Sequence, residues 1–182
     1  MATWKSRGLR GSTLEEMINR SNEKYMQNGL ALIQKIPTSI TPIEIDKDSR
    51  YITKAYFEKK STVDYIGAVQ GIPVCFEAKE CTRDSFRLSN IHAHQMDFMR
   101  KFEEQGGVSF VLILFVTRNT VMYLPFAKLS GFWERMQTGG RKSFDFGELD
   151  SDYVLPSKQG IIVPYLDMLN KDLQERGQEK ER

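Results

Sequence analysis

A chain of 182 residues, 40% apolar and 11% aromatic, carries enough hydrophobic material for one substantial core without disulfide or metal staples. Its formal net charge of +2 argues for no particular partner, so the local distribution of charge is the informative quantity. The longest apolar run, Val108 to Val116, is interrupted by Ser109 and is roughly half of the ~20 residues a membrane-crossing helix requires, so a buried strand and no membrane contact are expected there.

No charged segment followed by an apolar stretch opens the chain, so secretion is not expected and the cytoplasm is the expected compartment. Cys75 and Cys81 have no second pair to complete a zinc site and are expected as free thiols. Residues 1–11 lack hydrophobic periodicity and carry Lys5, Arg7 and Arg10, which reads as a mobile basic arm. Ser12 with Glu15, or Thr13 with Glu16, then has the capping-box spacing that starts a helix. Leu14, Met17, Ile18, Ser21 and Tyr25 continue it to about Asn28-Gly29.

Leu30 to Lys35 is expected as a short strand. Pro37, Pro42 and the alternation around Ile43 and Ile45 then predict an extended, core-poor excursion to about Lys60. Thr62–Val69 and Ile72–Lys79 are β-rich runs joined at Gln70-Gly71, which predicts a hairpin. From Ser89 the period becomes helical, with Ile91, Gln95, Phe98 and Phe102 on one face and a stop at Gly106-Gly107. Strands at 108–116 and 120–124 follow, and then a short helix bearing Phe126, Leu129, Phe132, Trp133 and Met136. Residues 141–159 are poorly periodic, Pro164 begins a last helix, and 177–182 is expected as a frayed tail. The pattern predicts one α/β domain over 1–182, a mixed central sheet flanked by helices.

The hairpin carries the chemistry. Side chains alternate along a strand, so Glu77 and Lys79 project to one face and Ala78 to the other. If the strands pair across Gln70-Gly71, positions summing to about 141 face each other, which sets Asp64 opposite Glu77. Like charges so placed are destabilising, and a divalent cation removes the conflict. Two carboxylates plus the Ala78 backbone carbonyl make a hard oxygen set suited to Mg²⁺ or Mn²⁺. Lys79 is then placed to orient water or neutralise charge on a phosphate. Gln95 lies on the apolar stripe of its helix, where a buried amide needs partners. The alternative reading is that Asp64 caps a turn while Glu77 and Lys79 form a solvated pair.

Asp64-Tyr65-Ile66-Gly67 with Phe76-Glu77-Ala78-Lys79-Glu80 resembles the D-Y-x-G and F-E-A-K-E segments of RecU-type Holliday junction resolvases, of the PD-(D/E)xK nuclease superfamily. Arg10-Gly11-Ser12-Thr13-Leu14-Glu15, Lys54-Ala55-Tyr56-Phe57, His94-Gln95, Phe132-Trp133 and Gly140-Arg141-Lys142-Ser143 extend the likeness over about residues 7 to 170. The resemblance implies a restriction-endonuclease-like fold with a protruding stalk, here about 37–60. It implies a homodimeric enzyme that makes paired symmetric nicks in four-way junction DNA during recombination and repair, with recombinase proteins as further partners; Phe126, Phe132 and Trp133 with Tyr165, Leu166 and Leu169 are apolar material expected to exceed one core and to supply the dimer interface. Implied metal ligands are Asp64 and Glu77, with Thr62 and Gln95 added to the candidate set. Lys79 is implied as the catalytic lysine and Glu15 as a carboxylate from helix one; the residues alone make Glu15 a capping partner of Ser12. Arg10, Lys47, Arg50, Lys54, Lys59 and Lys60 are the DNA-binding candidates. The short N-terminal arm departs from the family's longer members. Two other readings stay open: a nuclease for another DNA substrate, and a non-catalytic DNA-binding modulator.

Overall fold

The computed structural model describes residues 13–37, 40–46, 48, 51–57, 62–156 and 162–180. Helix α1 (Thr13–Gln27) buries Leu14, Ile18, Ser21, Asn22 and Tyr25, the spacing of a single stripe. The chain leaves it at Gly29, whose φ of 65° suits a residue without a Cβ. Strand β1 (Leu32–Lys35) follows. The excursion then folds as an antiparallel ribbon of its own, β2 (Ile40–Ile45) with β3 (Ile52–Phe57), outside the central sheet. Ile40, Ile43, Ile45, Ile52 and Tyr56 stay exposed on it, so it adds nothing to the core.

Strands β4 (Tyr65–Val69) and β5 (Ile72–Cys81) form the expected hairpin. Gln70 (φ 46°) and Gly71 (φ 89°) are both left-handed, as in the two-residue turn whose twist matches paired strands. Short β6 (Ser85–Arg87) and a 3₁₀ turn (Leu88–Asn90) lead into α2 (Ala93–Glu104). After them come β7 (Val108–Phe115), β8 (Thr120–Pro125), α3 (Phe126–Gln137), β9 (Ser143–Asp145) and α4 (Tyr165–Lys180).

The central sheet runs β1-β4-β5-β7-β8. The β5–β7 pair is parallel, with α2 as the crossover, and the other pairs are antiparallel. Every residue of β7 is buried, because helices cover both faces of this inner strand. One face stacks Tyr65, Phe76, Phe110 and Tyr123 in consecutive contacts of 4.7, 4.7 and 4.3 Å, and Tyr165 of α4 and Tyr25 of α1 close over them. The other face carries Cys75, Ser109 and Glu77 against α2. Among the described residues, no helix is long and apolar enough to cross a membrane.

Three expectations change. Residues 141–159, expected without regular structure, contain β9, which pairs with β6 in a small third sheet. Helix α4 continues through Lys180, beyond the Arg176 at which a frayed tail was expected. Of Phe126, Phe132, Trp133, Tyr165, Leu166 and Leu169, expected as apolar material for a dimer interface, all but the partly buried Leu166 are at most 9% exposed because this chain's own core absorbs them. Beyond these, the expectations for the arm 1–11 and for Arg10, Lys47, Arg50, Lys59 and Lys60 fall outside the described residues. Cys75 and Cys81 are free and buried, and burial raises the Cys75 thiol to about 12, which leaves it a packed, unreactive group.

Candidate active site

The β4–β5 register pairs Tyr65 with Phe76, so Asp64, just before β4, stands opposite Glu77. Because β4 starts only at Tyr65, the Ala78 N–H has no strand partner on that side. The Asp64 Oδ2 accepts it instead, at 3.0 Å. This bond swings the carboxyl across the end of β4 and beside Glu77. The N–H and C=O of one extended residue point the same way, so the Ala78 carbonyl faces the Asp64 side as well.

Glu77 is fully buried. The Gln95 amide donates to its Oε1, and Lys79 Nζ donates to its Oε2 at 3.4 Å. Lys79 also lies 4.0 Å from Asp64 Oδ2 and is about three-quarters buried, so one ammonium spans both carboxylates. Burial, then a hydrogen bond with Asp64 and its charge, push Glu77 up to about 9; Lys79 opposes them. Burial and Asp64 thus favour the protonated form of Glu77.

The Gln95 amide is oriented from its other end, because Oε1 accepts the backbone N–H of His92 at 2.9 Å. Oε1 is thereby occupied, which leaves the NH₂ end for Glu77. The histidine rings stack 5.4 Å apart at the exposed start of α2. Thr62, half-buried, makes no hydrogen bond to either carboxylate. Glu15 is not gathered into the pair: its carboxylate takes Lys35 Nζ at 2.8 Å, and its backbone carbonyl accepts the Tyr65 hydroxyl at 3.4 Å. Lys54, on β3, lies 3.9 Å from Glu44, both well exposed.

Glu80 received no role from the sequence. Its Oε1 accepts the N–H of Leu14 at 2.9 Å, satisfying a free donor in the first turn of α1. The signal was present, since strand alternation puts Glu80 on the face opposite Glu77 and Lys79, where α1 packs.

The donors fit a divalent cation. Two acids meet at a buried point where the second cannot ionise cheaply, and a hard cation removes that conflict. Among the described residues no group of three or more His, Cys, Asp or Glu side chains is placed to hold a metal, so a cation here would have two carboxylates and otherwise uncharged oxygens.

Two carboxylates and a lysine at the fork of a mixed sheet define a nuclease-type centre. The chain belongs to the RecU family, whose description is Recombination protein U and which matches residues 9–171. It is 40% identical to the Holliday junction resolvase RecU of Pediococcus pentosaceus over 90% of this chain and 84% of that one. The RecU resolvase of Levilactobacillus brevis is 42% identical over 87% of this chain and 82% of its own. That of Bacillus pumilus is 43% identical over 77% and 69%. The solved Holliday junction resolvase Hjc of Archaeoglobus fulgidus covers 60% of this chain and 77% of its own at 8% identity and a TM-score of 0.37, too slight a likeness to bear on the fold or the chemistry.

Proposed function

We propose that the protein is a metal-dependent endonuclease that resolves four-way DNA junctions by hydrolysing one phosphodiester at each of two related positions. The observation that carries this reading is Asp64 and Glu77 bridged by Lys79 on adjoining strands. The RecU relatives at about 40% identity supply the junction as substrate.

Asp64, Glu77 and the Ala78 carbonyl would hold the cation, with Thr62 and Gln95 at its edge. Mg²⁺ or Mn²⁺ supplies Lewis-acid polarisation of the phosphodiester and a more acidic water. Gln95 holds Glu77 in one rotamer and helps exclude bulk water. Holding a cation would require Glu77 as its carboxylate, with the proton lost to solvent, so loading would be favoured as pH rises towards about 9. Lys79 neutralises charge building on the phosphate's non-bridging oxygens as water attacks and the P–O bond to the departing sugar oxygen breaks. Glu15, turned to Lys35, acts as a support for the β1 end of the sheet.

The ribbon β2–β3, with Lys54 on it and Lys47, Arg50, Lys59 and Lys60 in the same excursion, contacts DNA, as does Arg10. A two-fold homodimer matches the approximate two-fold symmetry of a four-way junction and presents two sites at once. Work on recombination intermediates beside recombinase proteins in a reducing cytoplasm fits the two buried free thiols. The test compares junction, duplex and flap DNA with Mg²⁺, Mn²⁺ or EDTA. Paired symmetric nicks in the junction, absent in EDTA, are expected. Equal cutting of plain duplex would remove junction resolution as the function, and no cutting of any DNA would remove nuclease activity.

A further inference from the structure

We propose that a groove between the small β6–β9 sheet and α3 seats the phosphate backbone of the DNA arm next to the cleaved phosphate. The inference rests on the nuclease reading and assigns a second DNA contact surface, separate from the ribbon.

Pairing within the small sheet builds the groove. Arg87 is registered with Ser143, and the Leu88 N–H donates to the Lys142 carbonyl at 3.1 Å, so Arg87, ending β6, and Lys142, just before β9, flank the same end of the small sheet. With Ser89 they rim a cavity of about 460 Å³ whose floor is Leu88, Trp133 and Met136.

Charge decides what fits there. The neighbouring acids are already engaged: Asp84 by Arg118 at 2.7 Å, Asp145 by Arg141 at 2.6 Å, and Glu148 by Arg135 at 2.7 Å. Arg87 and Lys142, among the described residues, have no acidic partner and are exposed. Arg118, Arg141 and Arg135 are neutralised by those acids, whereas Arg87 and Lys142 keep their charge open to solvent. Two unneutralised cations and a hydroxyl above an apolar floor suit a sugar-phosphate strand, with charge on the phosphates and carbon against the sugars.

Position ties the groove to the reaction. The wall residue Ser89 is six residues before Gln95, a chain span of at most about 21 Å. Gln95 touches Glu77. At about 3.4 Å of rise per nucleotide, groove and scissile phosphate are separated by no more than about six nucleotides of one arm. Backbone contact of this kind sets the register of the arm and is indifferent to base sequence.

The test uses the full chain carrying Glu77→Gln, so that DNA survives, and measures binding of a synthetic four-way junction and a plain duplex from low to moderate salt. Adding R87Q with K142Q should lower the slope of log affinity against log salt by about two units, at about 0.9 per lost phosphate contact, on both DNAs. R20Q with K24Q removes the same charge from exposed positions on α1, across the sheet, and should leave the slope unchanged. An unchanged slope in the first double variant, or an equal fall in both, overturns the proposal. So does a change in particle mass by light scattering, which would make the groove a protein contact. Cleavage by the wild-type active site is followed in parallel. A wild type that resolves junctions beside an unchanged slope removes the groove alone, whereas one that cuts no DNA removes the nuclease reading on its own evidence.

Discussion

Glu77 holds two incompatible demands in one side chain. Metal capture, as proposed, would require its carboxylate, yet its buried position favours the acid, and burial is the largest cause of the shift to about 9. The sign follows from linkage. The folded state holds this proton more tightly than the unfolded chain does, so the associated stability is present below the ordinary value of 4.5 and is lost as pH rises towards about 9. Glu77→Gln should therefore abolish cleavage and, in EDTA, melt at a higher temperature than wild type at pH 8 to 9. The gap should widen with pH by up to about 1.4 kcal/mol per unit. Melting curves at pH 5, 7 and 9 check it, and a gap independent of pH would contradict the buried-acid account. Lys79 poses a separate question, because an ammonium does not ligate a cation. Lys79→Ala should slow cleavage at least a hundredfold with metal affinity nearly unchanged, read by calorimetric Mn²⁺ titration beside the rate; full recovery at high Mg²⁺ would assign the lysine to metal retention instead.

Elements make these side chains neighbours, and backbone contacts set how closely the elements approach. A Cβ added at Gly67 of β4 would meet the Leu32 carbonyl oxygen at 2.1 Å and the Ile33 Cα at 2.7 Å. Neither is the free end of a flexible side chain, so Gly67→Ala should cost about 1–3 kcal/mol by forcing β1 away from β4, with a matching fall in melting temperature. Amide exchange should show the loss first in β1. The hairpin, its register and the acid pair were legible because period-two alternation and a Gln-Gly turn are local signals. Partners distant in sequence were not. Glu15 finds Lys35 twenty residues on, and Leu14 finds Glu80 across 66, and neither pairing leaves a mark on local spacing. Strands β6 and β9, three residues each, are too short to show alternation, so the small sheet emerged only in three dimensions. Gln95 was legible as a buried amide, but the His92 N–H that orients it was not, because a backbone donor carries no residue signature.

For the whole molecule, the absorption of Phe132, Trp133 and Tyr165 into the core withdraws them from contact with a second copy. Those side chains are spent within one chain, whereas the ribbon leaves Ile40, Ile43, Ile45 and Ile52 at 45 to 57% exposure. Replacing residues 37–60 by a short Gly-Ser turn separates two roles for that excursion. An excursion that touches DNA rather than the sister chain can be lost without loss of the dimer. The shortened protein should therefore remain a dimer by light scattering at micromolar concentration while losing its preference for junctions over duplex. A shortened protein that becomes monomeric would instead assign the exposed isoleucines to the sister chain. The two-residue turn at Gln70-Gly71 has a longer reach than its size implies. It is a ruler: five residue pairs beyond it, Asp64 must arrive at the level of the Ala78 N–H. One inserted residue would slip the strands by a step and carry Asp64 out of phase with Glu77, while a sheet of the same strands could still assemble around β7. Such a protein would be folded and catalytically blank, so loop length here is a calibration of the chemistry, in a place that touches no substrate.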